Sequence, residues 1–141
     1  MAVYPVTAPS ILPPSPAPML TYPVYLPRDG SFDVTLVLGP VMDFVPDRGM
    51  RIAVAFDDEP PVVLDIFADR AAETFLGEGW SKRFTRDNAR YLRSAHKIGA
   101  PGSHVLKVSM VDPGIVLQKI IIGDRRLPDS YFGPPECTPV K

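Results

Sequence analysis

The residues with the most chemistry to offer lie between positions 80 and 91, where Trp80, Phe84 and Tyr91 alternate with Arg83, Arg86, Asn88 and Arg90. Flat aromatic faces beside such donors suit a sugar ring, whose axial hydrogens stack while its hydroxyls take paired hydrogen bonds. A uronic acid would add a carboxylate for Arg83, Arg86 or Arg90 to grip. The same segment also suits a plug, with Trp80 and Phe84 closing the open end of a β-structure and Asp87-Asn88 making a turn. A second grouping is acidic: Asp57, Asp58 and Glu59 in one turn, with Asp65 and Asp69 further on. Clustered carboxylates can hold calcium or share acid–base work, but consecutive ones in a turn diverge, and no EF-hand spacing is present. A solvated turn is the simpler expectation. The single Cys137 would need a positioned base to act as a nucleophile. It lies in the tail between Glu136 and Thr138, far in sequence from His96 and His104. No glycine-rich phosphate loop, nucleophile elbow or metal-ligand histidine spacing occurs, so spacing points to a binding or structural domain rather than an enzyme.

The elements that must position these residues read as strands. Phe32, Val34, Leu36 and Leu38 alternate with Asp33, Thr35 and Val37, the period of a half-buried strand. The Asp29-Gly30 pair before it predicts a hairpin with residues 20–26. Strands are expected at 50–56 and 62–67 across the acidic turn, and at 89–98. A second hairpin is expected between 105–111 and 115–122 across Asp112-Pro113-Gly114. Residues 69–75 could form a helical turn. The sum is seven or eight strands without βα repeats, which predicts an all-β antiparallel sandwich of jelly-roll type. Residues 1–17 form a proline-rich linker or arm, and 18–141 the sandwich domain. The lead could equally be a ligand for a proline-recognising domain or a spacer laid along the body.

Composition narrows the field. The chain has 141 residues, 45% apolar and 22% charged, which is one domain by size. Eighteen prolines, against an average near 5%, argue against a helical protein. A net charge of -1 gives no electrostatic reason to expect nucleic acid. No run of about 18 apolar residues exists to form a membrane-spanning helix. Residues 1–27 lack Lys and Arg and are interrupted by proline, which is not the pattern of a secretory signal. The chain either stays where it is made or is a piece of a longer secreted protein.

The run from Arg48-Gly49-Met50 to Phe56-Asp57-Asp58 continues through Trp80, Asp87-Asn88-Ala89-Arg90 and Pro101-Gly102-Ser103-His104. It extends to Met110-Val111-Asp112-Pro113-Gly114 and to Ser130-Tyr131-Phe132-Gly133-Pro134-Pro135-Glu136. This order resembles the C-terminal domain of the family 115 glycoside hydrolases, the xylan α-glucuronidases. It departs at Cys137, at Phe132 and across residues 68–79. The resemblance implies a β-sandwich similar to carbohydrate-binding modules. It also implies that the catalytic machinery lies in other domains, so no catalytic residue is carried over.

The reading is therefore a non-catalytic carbohydrate-binding module directed to xylan or glucuronoxylan. Trp80 and Tyr91 would be stacking platforms, Arg86, Asn88 and Arg90 hydrogen-bonding groups, and Tyr131 a rim residue. The alternative is a structural or dimerisation domain that docks on an upstream catalytic domain or a second copy. No cofactor is expected, calcium being possible but not called for. No nucleic-acid or membrane partner is expected. Such a domain would be secreted or periplasmic as part of a longer chain.

Overall fold

In the computed structural model, residues 5–41, 43, 45, 49–68, 90–123 and 134 are described. Among these residues seven strands run in the order β1 (Met19–Leu26), β2 (Gly30–Leu38), β3 (Arg51–Phe56), β4 (Val62–Asp65), β5 (Arg90–Ile98), β6 (Gly102–Ser109) and β7 (Leu117–Gly123). They form a four-stranded sheet, β1-β6-β3-β4, and a three-stranded sheet, β5-β2-β7, with antiparallel pairing throughout. The protein is an all-β sandwich, as expected. Among the described residues no helix is long and apolar enough to cross a membrane.

Alternation builds the core. Phe32, Val34, Leu36 and Leu38 of β2 point inward against Ile52, Val54 and Phe56 of β3 and Leu106 and Val108 of β6. Each fully buried aliphatic or aromatic side chain contributes roughly 1.5–3 kcal/mol relative to exposure. Strand β5 lies across from β3 and β4, where the His96 ring meets Phe56 edge-on at 5.3 Å. Pro23, which has no N–H to give a ladder, sits in β1, at the end of its sheet.

Both the β3–β4 hairpin and the β2 alternation follow the sequence reading, but the other two expected hairpins do not form. Strand β1 pairs with β6 rather than β2, and β2 pairs with β5 and β7. Strands β6 and β7 belong to different sheets. Among the described strands, every connection except β3–β4 changes layer, the winding of a jelly-roll-type sandwich. The reason lies in what the turn residues control. Asp29-Gly30 and Asp112-Pro113-Gly114 permit reversal, with Gly30 and Gly114 at φ 113° and 80°, yet they do not choose the layer to which the chain returns. An apolar strand face is buried equally well by stacking across the core. Strand β4 is also shorter than expected: the Phe67 N–H donates to Asp65 Oδ1 at 2.8 Å, an Asx turn that ends it.

Truncating the fully buried Phe56 to Ala is expected to cost about 3–5 kcal/mol in urea unfolding. Ser31→Ala, on the exposed side of β2, should stay within about 0.5 kcal/mol.

Candidate functional site

Strand β5 decides which of the sugar-binding candidates face solvent. Successive residues of a strand point to opposite faces, so Tyr91, Arg93, Ala95 and Lys97 share the outer side while Arg90, Leu92, Ser94 and His96 share the other. Tyr91 is 56% exposed. Its cross-strand neighbour is Val37, whose partner on the far side is Lys119, and Arg93 stands opposite Thr35. The outer surface of the three-stranded sheet therefore offers an aromatic face bordered by Arg93, Thr35 and Lys119. Lys119 Nζ also donates to the Pro134 carbonyl at 3.5 Å, which places Pro134 on the β7 side of this sheet.

Arg90 points the other way. Its guanidinium lies 4.9 Å over the Phe67 ring and donates to the Ile66 carbonyl at 3.4 Å, fastening the end of β5 to the chain beyond β4. Tyr91 and Arg90, neighbours in sequence, are not brought to one surface. Trp80, Arg86, Asn88 and Tyr131 lie outside the described residues, as do Asp69, the 69–75 segment and Cys137. Arg93 was missed by the sequence reading although its signal was present: it is two positions from Tyr91 in an alternating strand.

The acidic turn is built into the scaffold. Asp57 adopts φ 47°, a left-handed conformation that Asp tolerates better than most residues. Its N–H donates to the Val105 carbonyl at 2.8 Å, and its Oδ1 accepts the Val105 N–H at 2.8 Å. Its Oδ2 lies 2.7 Å from His104 Nδ1, and His104 Nε2 lies 3.0 Å from the Ala100 carbonyl. The His104 hydrogen bond, then that of Val105, holds the Asp57 carboxyl below its ordinary range, against a smaller opposing effect of burial. Reciprocally, Asp57 and then Ala100 hold His104 above its ordinary value. Asp58 reaches Lys107 Nζ at 3.3 Å with its side chain in water, a pair of little energetic weight. Both Asp57 oxygens are thus engaged by protein groups. Among the described residues no group of three or more His, Cys, Asp or Glu is arranged to hold a metal. His96 differs: burial beside Phe56 pushes its pKa down, and its Nε2 lies 2.8 Å from Ser94 Oγ.

The family model for the glycosyl hydrolase family 115 C-terminal domain matches residues 1–136. The chain belongs to that family. A solved family 115 4-O-methyl-α-glucuronidase, with specificity for decorated arabinogalactans, shares the fold at a TM-score of 0.63 and 20% identity over 78% of this chain. The chain spans 14% of that enzyme's length. No curated protein matches it in sequence.

In this family 115 domain the proline-rich lead is tied to the body by backbone and side chain. The Ile11 N–H donates to the Val111 carbonyl at 2.9 Å, and the Met110 N–H to the Pro18 carbonyl at 3.0 Å. Ser10 Oγ donates to Oδ1 of Asp112, a carboxylate with no solvent exposure. Asp112 Oδ2 accepts the Arg51 N–H at 2.7 Å and lies 3.5 Å from Arg51 Nε, while the Asp112 N–H returns a bond to the Arg51 carbonyl at 3.0 Å. The residue read as a turn former is therefore the clamp that joins the lead, β3 and the β6–β7 connection.

Asp112→Ala should destabilise the domain by about 3–5 kcal/mol, since it strips a buried, charge-paired acceptor from several donors at once. Ser10→Ala should cost only about 1 kcal/mol. Urea titration of both variants, with limited proteolysis of the lead, checks the order.

Proposed function

We propose that this domain is a non-catalytic carbohydrate-binding module directed to xylan or glucuronoxylan, acting as an accessory domain of an α-glucuronidase. The observation that carries the reading is the Tyr91 face on the outer side of the three-stranded sheet. A half-exposed aromatic ring stands there on a strand, with Arg93 two positions along it, Thr35 diagonal on the neighbouring strand and Lys119 two strands away. Fixing the platform on a sheet limits the ordering cost of binding an extended polymer. Trp80 would add a second stacking surface, with Arg86, Asn88 and Tyr131 as polar and rim contacts. The reading invokes no cofactor and places the reaction itself in other domains of a longer secreted or periplasmic chain. Family membership supports a polysaccharide context. The related enzyme's specificity for decorated arabinogalactans makes that polymer the natural comparison ligand.

A second reading has its own observation. The outer side of the four-stranded sheet carries the exposed Met19 and Tyr25 of β1, Val105 of β6 and Val63 of β4 beside Lys107, while Ala53 and Ala55 of β3 on the same side are buried. Such a flat, partly apolar surface suits packing against a catalytic domain or a second copy.

Affinity electrophoresis of the whole chain in glucuronoxylan, xylan and arabinogalactan separates the two readings. Retardation in a xylan is expected, weakened about tenfold, or roughly 1.4 kcal/mol, by Tyr91→Ala. Trp80→Ala should weaken it as well. Absence of retardation in every polymer, together with self-association abolished by Val63→Lys, would select the packing role instead.

A further inference from the structure

The ring of His104 is held between two oxygens that can only accept. Asp57 Oδ2 stands 2.7 Å from Nδ1, and the Ala100 carbonyl 3.0 Å from Nε2. A neutral imidazole carries one N–H and can satisfy one of these partners, leaving a lone pair aimed at the other oxygen. The imidazolium carries two and satisfies both. The two partners belong to different connections, the β3–β4 turn and the β5–β6 loop, at the end of the sandwich opposite Tyr91. We propose that protonated His104 is a latch that fastens the loop at residues 99–101 to the β3–β4 turn, and that loss of one of its two N–H protons releases the loop.

The loop is the side that lets go. Asp57 is fixed independently by the reciprocal backbone bonds with Val105, and its charge makes the stronger partner for a single N–H. Ala100 is exposed, and a Cβ placed on Gly99 would meet nothing within 4 Å. The charged and titratable neighbours leave this assignment intact. On the β3–β4 turn, Asp58 is paired with Lys107 of β6, and Glu59 acts on His96 rather than His104. Lys107 adds a weak pull on Asp57. On the β1–β2 connection Arg28 donates to the Asp29 carbonyl and lies over the Phe32 ring. Asp29 of that connection, Tyr22 and Tyr25 of β1 and Lys97 of β5 also lie toward this end.

The direction of the pH effect follows from the raised pKa of His104. The latch contributes fully below the unfolded histidine value of about 6.5 and is lost as pH rises through the folded one. His96, lowered by burial, works in the opposite sense, favouring the fold above about 6.5 and losing that contribution as pH falls.

With two histidines in the chain, proton NMR titration of both rings is directly readable once His96→Phe assigns them. His104 should titrate above about 6.5. Hydrogen exchange at Gly99, Ala100 and Gly102, corrected for intrinsic rate, should quicken at least threefold across that transition, while the β2 amides stay unchanged. Asp57→Asn keeps an acceptor but removes the charge, and should bring the His104 titration down and shift the loop transition with it. A His104 value at or below 6.5, or loop exchange that ignores the His104 transition, would overturn the latch.

Discussion

The constraint on which the rest of the domain depends is that neither sheet can cover its own apolar face. Along β2, β3 and β6 the inner surfaces are rows of Val, Leu, Ile and Phe at every second position, and only the facing layer removes them from water. Once Leu36, Val54, Phe56 and Leu106 lock together, the outer sides of both sheets are fixed as well, because parity along a strand leaves no choice. The exposure of Tyr91 is thus a consequence of the inward turn of Leu92, Ser94 and His96 further along the same strand. A one-residue slip of β5 would send Tyr91 inward and destroy both the core and the candidate platform.

Stacking has a cost in connectivity. When consecutive strands lie in different layers, the chain between them crosses the ends of the sandwich, where no hairpin ladder takes up its backbone groups. Aspartates do that work here. Asp112 gathers Ser10 and Arg51 beneath the β6–β7 connection, and Asp57 gathers Val105 and His104 beside the β5–β6 loop. One clamp is wholly buried, so its weight lies in stability. The other is half in water and carries a histidine, so its weight varies with proton concentration. The proline-rich lead is part of the first clamp, which joins it to the core in spite of its linker-like composition.

The candidate site was legible in part. An aromatic among arginines near position 90 was visible in the sequence, and Tyr91 does stand on an open sheet surface. Arg90 shows the limit of reading residue type alone. It is an arginine beside a tyrosine, yet strand parity turns it toward Phe67 and the Ile66 carbonyl, while Arg93 takes the outer position. The acidic turn shows the same limit from the other side. Three consecutive carboxylates suggested a solvated loop or a cation site, and nothing local announced that His104, 47 positions further on and beyond β4 and β5, would occupy Asp57.

By itself the sequence determined the layer class, the strand positions, the alternating core of β2 and the β3–β4 hairpin, because period-2 hydropathy and turn chemistry act over a few residues. Membership in the family 115 C-terminal domains was legible for the same reason, in motifs read along the chain. Only the tertiary structure decided that β1 would join β6, that β7 would cross to β2, and that Asp112 and Asp57 would serve as clamps. Those choices turn on which distant face buries which, and on donors brought together from separate layers, and no local pattern in a chain encodes the identity of a partner far along it.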